Sequence, residues 1–394
     1  MAERSWNRAL RPGTITFVML MVAVLAALVV SSVWVVSSRR AHPGAQQEVA
    51  FPAAVQKQLD QALDTTVKDA SIPGAIVGVW IPGKGSWVAT RGVTDTSTRK
   101  PAATGDLVRI GSITKSFVAT VVLQLVDQKI IGLDDPLAKY VTTVPGAGQI
   151  TIRQLLNHTS GLFDFLDDAG FEQAIAANPG RKWKPAELVS IATSHAPYFA
   201  PGASWHYSNT GYVLLGMVVE SVTGDRLAGE IDRRIIKPLG LTHTLTPDTA
   251  DVAGPICTGY ELDGGKLQQV PRYDPSVGWA SSSMISDLYD MKTWAQALAD
   301  GPLISNESQA ERLKTILTSP EDPQYGLGIM RNTDYTYDMF GHDGNAFGFS
   351  CAVFYMPAER AAVVVLLNRG AGEDMSARSV ASVFEGIVFQ RKAL

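Results

Sequence analysis

Cysteine and histidine are both scarce in this 394-residue sequence, and each shortage excludes a class of protein. Only Cys257 and Cys351 occur, without a Cys-x-x-Cys pair, so a disulfide-rich scaffold is excluded. The six histidines show no metal-ligand spacing, and we expect neither a metal nor another cofactor. The two cysteines leave two alternatives open, one disulfide outside the cytoplasm or two free buried thiols.

Positive charge is also in short supply once the first 40 residues are set aside. The chain has 34 Lys and Arg and 38 Asp and Glu, and five Arg and one Glu lie before residue 41. The remaining 29 basic and 37 acidic side chains give a net charge of −8. Such a balance argues against nucleic acid as a partner. At 46% hydrophobic residues, the chain is long enough to bury a sizeable core.

The segment 14–36 carries no charged side chain and has arginines on both sides. As a helix it would span about 34 Å, enough for a bilayer core of about 30 Å. A cleavable signal peptide is the alternative, but its apolar region is normally about 7–15 residues and ends at small residues. We therefore expect a cytoplasmic tip and transmembrane anchor over 1–40, a linker over 41–54 and an extracytoplasmic domain over 55–394 of a single-pass membrane protein.

Strand patterns lie near both ends of this domain. They are AIVGVWI (75–81), SWVATRGV (86–93), FSCAVFYM (349–356) and AAVVVLLN (361–368). The first two predict a hairpin, and apolar residues at helical spacing over 55–67 and 380–388 predict a helix at each end. We predict an α/β (α+β) fold with one antiparallel sheet completed by both termini and flanked by helices. A mainly helical lobe is inserted between them.

The stretch RIGSITKSF (109–117) places Ser112 and Lys115 three residues apart at the start of a helical pattern. Residues at this spacing share a helical face, so the amine can approach the hydroxyl. Unpaired N–H groups at a helix start can also bind an oxyanion. To act as a base, Lys115 needs its pKa lowered from about 10.4 by desolvation or neighbouring charge. On this motif alone, a serine at a helix start beside a solvated lysine is the alternative.

Two further stretches carry side chains suited to the same chemistry. In YSN, Tyr207 and Asn209 point the same way if the segment is extended, and a phenol beside a lysine can relay a proton while an amide orients a substrate. In FGHDGNAFGFS (340–350), a strand can pair with a peptide-like substrate, and a glycine permits close approach. We interpret His158 in NHTSG as a structural turn residue and Arg109 as a structural ion-pair partner.

Ser-x-x-Lys, Tyr-x-Asn and His-x-Gly, in this order, resemble the motifs of the serine β-lactamase and penicillin-binding-protein superfamily. Together with ITIRQLLNHTSGL (150–162), they are similar to the branch that holds class C β-lactamases, D-alanyl-D-alanine carboxypeptidases and related esterases. The resemblance implies Ser112 as nucleophile, Lys115 and Tyr207 as the proton-transfer pair and Asn209 as a substrate-orienting amide. Whether the lysine or the tyrosine is the general base stays open.

The resemblance also assigns the third motif. His342 replaces the lysine of the Lys-Thr-Gly version and is expected to hydrogen-bond near Tyr207, with Gly344 as the glycine of the motif. The N–H groups of Ser112 and Asn345 are expected to form the oxyanion hole.

One residue departs from the pattern of the branch. Where carboxypeptidases and β-lactamases of this branch usually have a carboxylate-binding threonine, this sequence has Asp343, whose charge would repel a terminal carboxylate. Arg331 is expected to compensate from a neighbouring strand. Otherwise an ester, amide or amine-bearing substrate fits better.

The resemblance therefore implies a serine hydrolase that forms an acyl-enzyme on Ser112, and the uncharged segment 14–36 predicts that it is anchored in a membrane. D-alanyl-D-alanine carboxypeptidase activity on a small-molecule or peptide substrate, such as cell-wall peptide, is the first expectation. An esterase or class C-type β-lactamase is the alternative within the same chemistry. A non-catalytic penicillin-binding or sensor protein is the alternative from another class.

Overall fold

The residues that a computed structural model describes are 49–252, 254–318 and 323–389. The expected anchor at 14–36 lies outside them. Within these ranges, no helix has both the length and the apolar character needed to cross a bilayer. One compact unit begins at Val49, and Phe51, inside the range interpreted as a linker, is buried.

The strands follow the chain from the N-terminal hairpin to the C-terminal one. They are β1 (Gly74–Ile81), β2 (Gly85–Asp95), β3 (Lys100–Pro101), β4 (Val108–Arg109), β5 (Tyr260–Asp263), β6 (Lys266–Gln269), β7 (Ile285–Ser286), β8 (Gln324–Tyr325), β9 (Met330–Asn332), β10 (Met339–Ala346), β11 (Phe349–Met356) and β12 (Ala361–Leu367). Eight of them form one antiparallel sheet in the order β3-β2-β1-β12-β11-β10-β9-β8. The predicted hairpin and the sheet completed by both ends of the chain are confirmed.

The helices lie at both ends and through the middle of the sequence. They are α1 (Ala53–Asp69), α2 (Thr114–Asp127), α3 (Ile152–Leu156), α4 (Ala169–Ala177), α5 (Pro185–Thr193), α6 (Asn209–Thr223), α7 (Leu227–Ile231), α8 (Lys237–Leu239), α9 (Leu288–Asp300), α10 (Asn306–Arg312) and α11 (Ala377–Val388). Between β3 and β8 the chain is mainly helical, as the sequence predicts.

The central strands are buried because helices cover both faces of the sheet. Every residue of β1 and β12 is buried, which explains why these strands have continuous apolar sequences instead of an alternating pattern. On one face, α1 and α11 bury Leu59, Leu63 and Phe384 against the sheet. On the other face, α2, α6 and α9 pack in a second core. The terminal helices therefore close the side of the sheet opposite the inserted helices.

The two cysteines do not pair. Cys257 and Cys351 are both free and buried, which decides between the two alternatives left open by the sequence. Burial raises the pKa of the Cys257 thiol to about 12, so this thiol stays protonated and is a poor nucleophile.

Helix α11 supplies a direct test of the core beneath the sheet. The Phe384 ring is fully buried, with its centroid 5.4 Å from that of Trp87, whereas the neighbouring Val383 is exposed. We expect Phe384→Ala to lower the free energy of unfolding by about 3–5 kcal/mol, because it leaves a cavity. Urea denaturation measures the loss. Val383→Ala is the matched control, with an expected change within about 0.5 kcal/mol. Equal losses for the two variants would contradict the packing.

Candidate active site

Ser112 and Lys115 meet where a short 3₁₀ turn, Gly111–Ile113, runs directly into α2. The Lys115 side chain is fully buried, and its Nζ lies 3.0 Å from the half-buried Ser112 Oγ. Nζ also donates to Asn209 Oδ1 at 2.7 Å and to the Ser281 carbonyl at 3.0 Å. Three acceptors match the three N–H groups of an ammonium. On losing a proton, the amine keeps two donors and offers its lone pair to the Ser112 hydroxyl.

The surroundings of Lys115 bring this deprotonation near neutral pH. Burial lowers the pKa of Lys115 to about 7, while the negative charges of Asp164 and Asp343 act in the opposite direction. Above pH 7 the neutral amine therefore predominates, and a neutral amine beside a serine hydroxyl can serve as its base.

Tyr207 completes the group around the nucleophile. Its phenol lies beside Ser112, which acts on the pKa of the phenol, and its ring centroid lies 4.7 Å from Lys115 Nζ. Burial raises the pKa of the Tyr207 phenol well above its ordinary value. The phenol therefore stays protonated and can pass a proton between Ser112 and a leaving group, while Lys115 is the group that can be neutral before the reaction.

Asn209 is oriented by a residue that sequence reasoning missed. The buried Asp164 carboxylate accepts from Asn209 N at 3.0 Å and from Asn209 Nδ2 at 2.7 Å. With Nδ2 bound in this way, Asn209 Oδ1 is directed at Lys115. No local pattern marks Asp164, because its partner lies 45 residues further along the chain.

Two glycines let strand β10 touch the nucleophile turn. A Cβ on Gly344 would lie 2.1 Å from the Ile110 carbonyl oxygen and 3.0 Å from Ser112 N. Gly111 has φ +53°, and a Cβ there would lie 2.8 Å from Asn345 N. No other residue fits such contacts. These close contacts bring the main-chain nitrogens of Ser112 and Asn345 to one wall of the site, where an oxyanion hole is expected. The side chain of Asn345 does not take part in this wall, because its Oδ1 accepts a hydrogen bond from Ala371 N at 2.9 Å.

His342 and Arg331 lie near the places expected, but their partners were not predicted. His342 is fully buried, and its Nε2 lies 2.8 Å from Tyr325 Oη. The Tyr325 ring centroid lies 6.2 Å from that of Tyr207, so this hydrogen bond lies near Tyr207. Burial lowers the pKa of His342 to about 3, so the imidazole is neutral. Arg331 lies on β9 and pairs with Asp338 at 2.6 Å, which commits its charge away from Asp343.

Asp343 itself is half-buried at the site. Its negative charge acts on Lys115, where it raises the amine pKa, and on Tyr207, where it raises the phenol pKa. The carboxylate is therefore part of the electrostatic surroundings of the nucleophile.

Two other polar features lie away from this group. The guanidinium of Arg109 donates to the Tyr273 carbonyl at 3.0 Å and forms no ion pair within the described ranges, so its interpretation as an ion-pair partner is wrong. His243, Asp287 and Asp290 bring their ligand atoms within 4.8 Å of one another. Their carboxylates already accept hydrogen bonds that fix the start of α9: Asp287 from Asp290 N, and Asp290 from His243 N and Thr244 Oγ1.

Comparison with known proteins identifies the family of the chain. A family model described as Beta-lactamase matches residues 59–383, well over half of the chain. The chain therefore belongs to the beta-lactamase family, within the serine β-lactamase and penicillin-binding-protein superfamily of serine hydrolases. Ser112, Lys115, Tyr207 and Asn209 lie inside the matched range.

Relatives in this family have different names. The chain is 28% identical over 303 residues to a penicillin-binding protein of Bacillus subtilis, covering 71% of this chain and 64% of the relative. It is 29% identical over 333 residues to a D-aminopeptidase of Cereibacter sphaeroides, covering 82% and 62%. It therefore spans about three fifths of the length of these curated relatives. A D-stereospecific amidohydrolase from Streptomyces sp. superposes with a TM-score of 0.75 at 33% identity, covering 84% of this chain and 98% of that one.

The buried amine predicts how hydrolysis depends on pH. We expect kcat/KM for p-nitrophenyl acetate to rise with pH through about 7 and then level off, because Lys115 must be neutral. Asp164→Asn removes a charge that raises the Lys115 pKa, so the rise should move to lower pH. Rates between about pH 5 and about pH 9 test this. Asp167→Asn, in the same loop but bound to Tyr198, is the control and should leave the profile in place. A shift to higher pH in Asp164→Asn would contradict the assignment.

Proposed function

We propose that this protein is a serine amidohydrolase that acts on an amide or short peptide with a free amino group, through an acyl-enzyme on Ser112. The observation that carries the proposal is the Asp343 carboxylate, whose charge acts on both Lys115 and Tyr207. A substrate ammonium placed beside it gains an ion pair, whereas a substrate carboxylate is repelled.

The proposed reaction uses the groups around Ser112 in turn. Ser112 Oγ attacks the amide carbonyl as its proton passes to Lys115, and the main-chain N–H groups of Ser112 and Asn345 bind the oxyanion. Tyr207 relays a proton to the leaving amine, and the C–N bond breaks. A water then attacks the Ser112 ester by the reverse proton path and releases the acid.

A carboxypeptidase remains the second candidate, since the sequence favours it. Recognition of a terminal carboxylate needs a cation or a hydroxyl donor at the third motif. Here His342 is neutral, Arg331 is paired with Asp338, and the middle residue is Asp343. The lack of a carboxylate-binding group also disfavours β-lactams, which carry a carboxylate. Simple esters have no such charge and remain possible substrates.

The relatives support the amine-bearing class and suggest the stereochemistry. The Cereibacter relative is named a D-aminopeptidase, and the Streptomyces structure is a D-stereospecific amidohydrolase. We infer that the acyl residue has the D configuration. We also keep anchoring through 14–36, with the site outside the cytoplasm, as part of the proposal, because that segment is uncharged and long enough to span a bilayer.

Paired substrates test the role of Asp343. We expect Asp343→Asn to lower kcat/KM for D-alanyl p-nitroanilide about 10- to 100-fold, because the ammonium loses its partner. N-acetyl-D-alanyl p-nitroanilide, which lacks that charge, should change about threefold at most. Asp343→Thr should also raise the relative rate on a peptide ending in D-Ala-D-Ala. Equal losses on both anilides would refute amine recognition.

Ser112→Ala tests the nucleophile, and turnover by the parent separates an enzyme from a binding protein. The substitution should abolish hydrolysis of every substrate that the parent turns over, and any labelling of the parent by a fluorescent penicillin. If the parent is labelled stably by the penicillin but turns over neither anilide nor ester, the protein is a non-catalytic sensor and the proposal fails.

A further inference from the structure

The imidazole of His158 is a buried polar group that the proposed reaction does not use. It lies in the NHTSG turn after α3, is 1% exposed and has φ +65°, a backbone conformation that is unfavourable for a side chain with a Cβ. The sequence suggests only a structural turn residue here. Its contacts point to a more specific role.

His158 contacts three consecutive residues around the phenol of the site. Its carbonyl oxygen accepts from His206 N at 3.1 Å. Its ring centroid lies 4.2 Å from that of Tyr207. Its Nδ1 accepts from Ser208 N at 3.1 Å. The residue therefore holds the chain before and after Tyr207 as well as the ring itself.

The turn around His158 is tied to the same segment. Thr159 O accepts from Gly202 N at 2.8 Å, and Gly161 O accepts from Tyr198 N at 2.8 Å. The approach is close, because a Cβ on Gly161 would lie 2.0 Å from the Phe199 carbonyl oxygen. The His158 ring consequently has a fixed platform from which to contact Tyr207.

A histidine at this position leaves one buried N–H group without a hydrogen bond, which a side chain that only fills space would avoid. Since Nδ1 accepts a hydrogen bond, the proton of the neutral ring lies on Nε2, which is buried without a hydrogen-bond partner in the described part of the chain. An unsatisfied buried N–H destabilises the folded state. An apolar side chain would avoid this cost, but it would not accept from Ser208 N.

We propose that His158 is a positioning residue that holds the Tyr207 phenol beside Ser112, by packing its ring against the phenol ring and by fixing the main chain at Ser208. This inference rests on the proposed function, since it matters only if Tyr207 transfers a proton. Burial and the nearby Lys115 cation hold the pKa of His158 well below its ordinary value, so it acts as a neutral ring. A misplacement of about 1 Å at such a site can cost about 100-fold in rate.

Two substitutions of His158 separate its two contacts. His158→Asn keeps an acceptor for Ser208 N and tolerates positive φ, but removes the ring. His158→Phe keeps a ring and removes the acceptor. With p-nitrophenyl acetate and the full-length chain, we expect each to lower kcat about 10- to 100-fold and to change KM less than about threefold. Ile152→Ala, a buried change at the start of α3, is the control for lost stability and should leave kcat of the folded fraction unchanged.

A double-mutant cycle with Tyr207→Phe decides whether His158 acts through the phenol. Once the Tyr207 hydroxyl is gone, its position no longer matters, so His158→Asn should cost nothing further in that background. Additive losses, or a loss in His158→Asn matched by Ile152→Ala, would overturn the inference. Hydrolysis that persists in Ser112→Ala would instead refute the proposed function. Additive losses in an enzyme that Ser112→Ala inactivates would refute only the role of His158.

Discussion

The burial of one amine is the constraint on which the rest of the site depends. Lys115 is enclosed, and its Nζ is held by a hydroxyl, an amide oxygen and a main-chain carbonyl from three separate parts of the chain. Burying an ammonium is costly unless its donors are satisfied, so these acceptors must be in place when the protein is folded. The same enclosure lowers the pKa of the amine. Stability and chemistry at this point are therefore set by the same contacts.

Those contacts also explain why the fold brings distant segments together. Asn209 reaches Lys115 from the start of α6, and Ser281 reaches it from the end of a short 3₁₀ turn, Trp279–Ser281. The edge of β10 supplies the opposite wall through Gly344. The sheet fixes the position of β10, and the helices packed on one face fix α2 and α6. The site lies where these two layers meet.

Local patterns were sufficient for features that depend on near neighbours. The spacing of Ser112 and Lys115 gave their shared helical face, and runs of apolar residues gave the paired strands at both ends of the domain. Partners chosen by tertiary contacts were beyond such patterns. Asp164 binds a residue 45 positions away, His342 bonds with Tyr325, and Arg331 pairs with Asp338. Each of these partners depends on which strands and loops are neighbours in the fold, and the spacing of residues in the sequence does not reveal those neighbours.

The contact between Gly111 and β10 has a consequence for how this family can change. In the proposed reaction, the surface that meets the developing negative charge consists of main-chain atoms, which are common to all amino acids, and two glycines leave no room for variation there. Asp343, one position from Gly344, presents a side chain that can be exchanged without moving that surface. Under the proposed function, substrate preference can therefore change at residue 343, together with the charge that acts on Lys115, while the main-chain surface stays the same.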